Sequence, residues 1–145
     1  MSIVSLNTNT LNPVIIQVSV DIFEAISNRM KEKKGLKTFL VYGSYADDSF
    51  RADSDIDLAY FTDYDKPISK LELLETLLEI ESLPELDLVC LNDISPVLAM
   101  QIIKNHKILI QNSERDFEKW KLAVFAQAHD LKLANSKIYE NLGLE

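Results

Sequence analysis

The fold is decided by the stretch from Phe39 to Phe61, which reads FLVYGSYADDSFRADSDIDLAYF. One apolar run stops at Gly43-Ser44 and another begins at Ile56, so the stretch predicts a strand, a tight turn, a short loop and a second strand. A glycine allows the backbone to bend sharply and to leave its N–H groups pointing outward, which is the geometry that binds a phosphate. We therefore predict an anion-binding turn at Gly43 and Ser44.

Two acids stand at the start of the second predicted strand. Asp55 and Asp57 alternate with Ile56 and Leu58, and a period of two places both carboxylates on one face of the strand. Neighbouring like charges repel unless a cation lies between them. Because Mg²⁺ is usually held by one or two carboxylates together with substrate phosphates, the pair predicts a metal site opposite the phosphate turn.

The spacing of these two features resembles a known family signature. Gly43-Ser44, ten further residues and then Asp55-Ile56-Asp57 are similar to the signature of the DNA polymerase β-like nucleotidyltransferase superfamily, and Ser54–Leu58 resembles its small bacterial branch, the minimal nucleotidyltransferase (MNT) domain. The resemblance implies an α+β (mixed α/β) fold of the small nucleotidyltransferase type, with a mixed β-sheet flanked by helices and a long C-terminal helix. Either feature alone is common in ordinary turns and solvated strands.

A third acid lies in the next predicted strand, residues 85–91, where Asp87 is flanked by aliphatic side chains. The resemblance implies that Asp87 joins Asp55 and Asp57 as catalytic and metal-binding residues. It also implies two Mg²⁺ ions and transfer of a nucleoside monophosphate to a hydroxyl, with pyrophosphate leaving. The alternative is that Asp87 faces solvent on a half-exposed strand.

The nucleotide is expected to be held by the turn. The resemblance implies that Gly43 and Ser44 bind the β- and γ-phosphates of ATP, and Arg51 is the nearest cation able to reach a phosphate. The alternative for Arg51 is a surface arginine that pairs with Asp48 or Asp53.

The chain departs from the family pattern at two positions. Relatives commonly read Gly-Ser-x-Ala-Arg-Gly, whereas this chain has Asp47 and Asp48 in place of the arginine and the second glycine. A negative charge near a polyanion weakens its binding, by on the order of a few kcal/mol if both are desolvated and far less if they are exposed. We therefore expect altered nucleotide affinity, or a protein that binds without turnover, as alternatives to full activity.

The remaining sequence predicts one domain over residues 1–145 with a loose arm at 1–11. Asn12-Pro13 begins a predicted helix that closes near Gly35, Ser69 begins a second that Pro84 ends, and residues 97–104 form a third. A last short strand covers 106–110, with His106 expected at the surface, and residues 113–141 are predicted as the C-terminal helix.

The C-terminal helix carries two apolar stripes. The stronger consists of Phe117, Trp120, Val124, Ala128, Leu131 and Ile138, and the weaker of Leu122, Phe125 and Leu133. A helix that is apolar on more than one side needs more than one covering surface. Two readings stay open, namely packing entirely within the fold and a protein–protein interface centred on Trp120 and Phe125.

Composition narrows the class of partner. A net charge of −8 with 47% hydrophobic and 26% charged residues is typical of a soluble globular domain that repels nucleic acid and anionic membranes. We find no signal segment and no apolar run of membrane-spanning length, so the sequence predicts a cytoplasmic protein that binds neither nucleic acid directly nor membranes.

The acceptor of the reaction is predicted to be a macromolecule, because 145 residues leave little room beyond a catalytic core. Free-standing MNT domains resemble the antitoxin of two-gene modules whose toxin is a HEPN-domain ribonuclease. That resemblance implies transfer of AMP from ATP to a tyrosine hydroxyl of the toxin, within a toxin–antitoxin hetero-oligomer. The alternatives are an inactive MNT-fold antitoxin that neutralises the toxin by direct binding, and a nucleotidyltransferase for small molecules of the aminoglycoside type.

Overall fold

The computed structural model describes residues 13–134, except for the side chains of residues 15–19 and 133–134. The elements in chain order are α1 (Pro13–Met30), β1 (Leu36–Tyr42), a 3₁₀ turn (Gly43–Tyr45), β2 (Ile56–Thr62), α2 (Lys70–Leu77), β3 (Leu86–Cys90), a second 3₁₀ turn (Leu91–Asp93), α3 (Pro96–Lys104), β4 (His106–Gln111) and α4 (Glu114–Ala134). The predicted α+β fold with a long C-terminal helix is confirmed. The arm at 1–11 and the last part of the predicted helix 113–141 lie outside the described residues.

The four strands form one mixed sheet in the order β3-β2-β1-β4. β1 pairs antiparallel with both β2 and β4, whereas β2 pairs parallel with β3. A parallel pair needs a crossover connection, which α2 supplies between β2 and β3. The site-bearing ends of β1 and β2 therefore meet at the same edge as the start of β3.

Each face of the sheet is buried against a different set of helices. Phe39 and Val41 of β1 point into a core that contains residues of α1 and α2. Leu40, between them, points to the opposite face, where Ile102 of α3 and Phe117 of α4 cover it. The alternation of the strands thus decides which helix pair each side chain meets.

Serine side chains fix the starts of two helices. Ser69 accepts a hydrogen bond from the Glu72 N–H (3.1 Å) at the start of α2, and Ser95 accepts one from the Leu98 N–H (3.2 Å) at the start of α3. These N-caps satisfy backbone donors that lack a partner within the helix. The expected start of the second helix at Ser69 is confirmed.

The end of α2 differs from the prediction. The helix ends at Leu77 instead of continuing to Pro84. Beyond it the chain tightens, with the Glu79 N–H bonded to the Thr76 carbonyl and the Ile80 N–H to the Leu77 carbonyl. Such three-residue spacing is typical of a closing helical turn, and it redirects the chain toward β3.

No helix within residues 13–134 combines the length and the apolar character needed to cross a membrane.

Candidate active site at the Gly43 edge of the sheet

Four residues form one row across the sheet at the end where β1 stops. The register pairs His106 of β4 with Tyr42 of β1, Tyr42 with Asp57 of β2, and Asp57 with Asp87 of β3. Directly paired residues point to the same face of a sheet. The sheet therefore places Asp87 beside Asp57 and brings a tyrosine and a histidine into the same row, on the face that α3 and α4 cover further along.

Negative charge accumulates in this row. Burial raises the pKa of the Asp57 carboxyl, and the charges of Asp87 and then Asp55 raise it further. Burial, followed by the charges of Asp57 and Asp87, raises the pKa of the Tyr42 hydroxyl to about 12. The three carboxylates are thus close enough to interact electrostatically, and a cation among them would reduce their repulsion.

The donor set fits a hard divalent cation by its chemistry. All three candidate ligands are carboxylates, which Mg²⁺ prefers, and two of them, Asp57 and Asp87, lie on adjacent strands. In the described part of the chain, however, no three His, Cys, Asp or Glu side chains already stand in an arrangement able to hold an ion. The fit is therefore to an ion that takes some of its ligands from a bound triphosphate, as Mg²⁺ commonly does.

The Gly43 turn, which is predicted to bind phosphate, lies against Asp57. Gly43 has a φ of +72°, and a Cβ added to it would lie 2.6 Å from Oδ2 of Asp57. The turn closes with a hydrogen bond from the Ala46 N–H to the Gly43 carbonyl (3.0 Å) and another from the Ser49 N–H to the Ser44 carbonyl (2.9 Å). A glycine is needed here both for its conformation and for the space that the carboxylate occupies.

The two acids that depart from the family pattern are built into the loop. Asp48 adopts a φ of +61°, at the position where the family resemblance leads us to expect glycine, and its carboxylate lies 3.5 Å from Nζ of Lys107. Aspartate is among the few residues that tolerate this left-handed conformation. The charge of Asp48 is therefore partly offset by a lysine from β4.

Asp47 folds back on its own loop. Its Oδ1 accepts hydrogen bonds from the Ser49 hydroxyl (2.6 Å) and the Ser49 N–H (3.1 Å). The Ser49 hydroxyl is the main reason that the pKa of Asp47 is lowered, and the Asn105 amide contributes to the same shift. The carboxylate is thus held in its charged form beside the turn.

Arg51 stays at the surface. Its backbone N–H donates to Oγ of Ser54 (2.7 Å), and within residues 13–134 its side chain forms no ion pair with Asp48 or Asp53. The side chain borders a cavity of about 440 Å³ that Tyr45 and Phe50 also line. Its role toward phosphate remains a prediction.

The two apolar stripes of α4 have different surroundings. Trp120 is only 9% exposed, stacks on Phe117 at 5.6 Å and donates its indole N–H to the Leu91 carbonyl (2.9 Å). Leu122 and Phe125 are 67% and 44% exposed. The expectation that Trp120 contributes to an interface is wrong, because the fold already covers it, whereas Leu122 and Phe125 face outward.

His106 and Tyr42 were not recognised as part of the site from the sequence. His106, expected at the surface, is half-buried, and its Nδ1 lies 2.9 Å from the Ile102 carbonyl and 3.1 Å from the Ile103 carbonyl. Carbonyls only accept hydrogen bonds, so Nδ1 carries the proton. The neighbouring lysines at 104 and 107 favour a surface position for His106 when only the sequence is considered. Only the strand register shows that Tyr42 lies beside Asp57.

The raised pKa of Asp57 makes a prediction about stability. The unfolded chain ionises this carboxyl at a lower pH than the folded chain does, so its charge destabilises the fold as pH rises above about 4 and through the folded-state pKa. Asp57→Asn is therefore expected to raise the free energy of unfolding in the absence of metal and nucleotide at pH 7, and to lose that advantage at pH 3.5. Urea titrations of both proteins across this range measure the difference. A variant less stable than the wild type at pH 7 would contradict the assignment.

The α+β fold, with its four-stranded mixed sheet and long C-terminal helix, is that of a nucleotidyltransferase domain. A comparison with family descriptions matches residues 24–115, more than half of the chain, to "Polymerase beta, Nucleotidyltransferase". The chain belongs to this nucleotidyltransferase family. A comparison with curated proteins found no significant match.

Three solved structures of similar fold are toxin–antitoxin complexes. A toxin–antitoxin with AMP-PNP matches at a TM-score of 0.68 and 22% identity, covering 83% of this chain and 97% of that one. The MntA-HepT pair matches at 0.63 and 20%, covering 85% and 97%. The tri-AMPylated Shewanella oneidensis HEPN toxin in complex with MNT antitoxin matches at 0.60 and 20%, covering 88% and 98%. At these identities the likeness is one of fold.

Proposed function

We propose that the chain is a Mg²⁺-dependent nucleotidyltransferase that transfers AMP from ATP to a hydroxyl of a partner protein, and that it is the antitoxin of a HEPN-type ribonuclease toxin. The observation that supports this most strongly is the contact between the Gly43 turn and Asp57, with Asp87 on the adjacent strand. A phosphate-binding turn and a metal-binding row serve one reaction only if they are adjacent.

The proposed roles are those that the family resemblance implies for these residues. Gly43 and Ser44 bind the β- and γ-phosphates, with Arg51 as the cation able to reach them. Asp55, Asp57 and Asp87 would hold the metal, two Mg²⁺ ions in the full site, which would neutralise charge on the phosphates. The acceptor oxygen forms a bond to the α-phosphorus while the bond to pyrophosphate breaks. Either the metal or the exposed carboxylate of Asp87 is proposed to lower the barrier to deprotonation of the attacking hydroxyl.

The acceptor is proposed to be a tyrosine of the toxin. Support comes from the solved complexes of similar fold, one of which contains a tri-AMPylated HEPN toxin and another AMP-PNP. A net charge of −8 suits a basic, RNA-cleaving partner in the cytoplasm, where ATP is supplied. The partner and the chain then form a hetero-oligomer.

The exposed side chains of Leu122 and Phe125 on α4 form the proposed docking surface for this partner. Replacing Leu122 and Phe125 together by Glu is expected to weaken partner binding by at least about 30-fold, as loss of an interface anchor costs 2 kcal/mol or more. Both side chains are exposed, so the melting temperature should change little. Gln127→Glu adds a charge to the same helix and is the matched control. Calorimetric titration of the partner measures the effect, and undiminished binding by the double variant would exclude this surface.

A direct test is to co-express the chain with the product of the neighbouring gene, supply ATP and Mg²⁺, and measure both intact masses. The proposal expects the neighbour's product to gain the mass of one or more AMP units. Neutralisation by occlusion alone is the second candidate, favoured by the acids at 47 and 48 beside the turn and by the lack of a ready-made metal cluster in the described residues. It expects protection with unchanged masses.

A further inference from the structure

Two asparagines flank β4 and fasten it to opposite ends of β1. Asn112, just after β4, donates through Nδ2 to the Leu36 carbonyl (2.9 Å), where β1 begins. Asn105, just before β4, donates through Nδ2 to the Gly43 carbonyl (3.1 Å), where β1 has ended. The two side chains use the same chemistry, but only Asn105 contacts the phosphate turn.

Asn105 also contacts the loop that departs from the family pattern. Its Nδ2 lies 3.3 Å from Oδ2 of Asp47, whose other oxygen is bonded to Ser49. An amide nitrogen carries two hydrogens, so it can donate to both acceptors at once. Asn105 thus joins the first residue of the turn to the loop that follows it.

The backbone of Asn105 is fixed by the two elements that it connects. The residue ends α3, with its backbone N–H donated to the Ile102 carbonyl (3.2 Å), and it directly precedes the paired strand β4. Gly43, in contrast, has the widest conformational freedom of any residue type, and its φ of +72° is one of several backbone conformations open to it. A side chain fixed on two elements can restrain it to this one.

We propose that Asn105 is a positioning residue that holds the Gly43 carbonyl and Asp47, and thereby keeps the turn in its phosphate-binding conformation. This rests on the proposed function for its consequence in AMP transfer, but the restraint itself can be measured without any reaction. The proposal also gives Asp47 a role that an arginine at this position could not have. The Asp47 carboxylate accepts the second hydrogen of the Asn105 amide, whereas an arginine side chain has no acceptor.

The test compares Asn105→Ala with Asn112→Ala in the full chain. Asn112→Ala removes one side-chain hydrogen bond beside β4 and Asn105→Ala removes two, so both melting temperatures are expected to fall, that of Asn105→Ala somewhat more. The amide hydrogen of Ala46, which is bonded to the Gly43 carbonyl, should exchange about tenfold faster in Asn105→Ala only, as loss of one hydrogen bond to an acidic group predicts. Asn105→Asp preserves size but cannot donate when ionised, so it should behave like Asn105→Ala.

The same variants give a nucleotide readout. Affinity for AMP-PNP with Mg²⁺ should fall about tenfold in Asn105→Ala and remain at the wild-type value in Asn112→Ala. In AMP transfer the loss should appear in KM for ATP with kcat nearly unchanged. Equal Ala46 exchange in the two variants overturns the positioning role. A wild-type chain that binds AMP-PNP but modifies no partner overturns the proposed function, while the exchange and affinity comparison still decides on Asn105.

Discussion

Asp57→Asn is expected to lower the rate of AMP transfer by more than about 100-fold. The double variant Asp55→Asn, Asp57→Asn is expected to abolish it. Removing even an outer-shell partner of a metal ligand costs about 10–100-fold in affinity or activity, so loss of a direct ligand is expected to exceed about 100-fold. Asp57 contacts the Gly43 turn and is paired with Asp87, so it is central to the proposed metal site. Rates of AMP incorporation into the partner measure the loss.

The control for this result is a nearby acid outside the row. Asp53→Asn makes the same change of charge in the exposed loop before β2, and it should leave transfer within about twofold, as surface substitutions away from special features usually do. Unfolding does not account for a loss in Asp57→Asn, since burial and neighbouring charges disfavour the wild-type carboxylate. Protection from the toxin that survives in the double variant would favour occlusion over catalysis.

Gly43→Ala is expected to have the second largest effect. The left-handed conformation costs an alanine roughly 1–2 kcal/mol of stability. Its Cβ would also lie 2.6 Å from Oδ2 of Asp57, so either the turn or the carboxylate must shift. Because a displacement of about 1 Å in a reacting group can cost about 100-fold in rate, transfer should fall by at least that factor. Steady-state kinetics and a urea titration separate the two effects.

A second glycine provides the matched control. Gly35 also has a positive φ, of +87°, and a Cβ there would lie 2.5 Å from the Lys66 carbonyl at the opposite end of β1. Gly35→Ala is therefore expected to destabilise the fold at least as much. At a temperature where both variants are folded, only Gly43→Ala should lose transfer activity. Equal losses of activity would mean that the Gly43 turn has no specific role.

Much of the fold was predictable because its signals are local. The phosphate turn, the alternating acids at Asp55 and Asp57 and the cap at Ser69 all depend on neighbours within a few residues. The strand bearing Asp87 was predicted as well, although its parallel register against β2 is a property of the sheet. The roles of these residues in binding metal and nucleotide remain predictions.

The features that the sequence does not predict depend on contacts between segments that are far apart in the chain. Both stripes of α4 have helical spacing, and only the packing of Trp120 against Phe117 and the Leu91 carbonyl shows that it is covered while Phe125 is not. Asn105 reaches the phosphate turn across 62 positions of sequence, and His106 is half-buried because α3 ends against it. Residue type and spacing do not predict such contacts.

A crystal structure of the chain with AMP-PNP and Mg²⁺ tests the central claim most directly. The account predicts triphosphate oxygens against the Gly43-Ser44 turn and metal density bounded by the carboxylates of Asp55, Asp57 and Asp87. A nucleotide bound elsewhere on the domain, or one bound at the turn with those three carboxylates directed away from the metal, would contradict it.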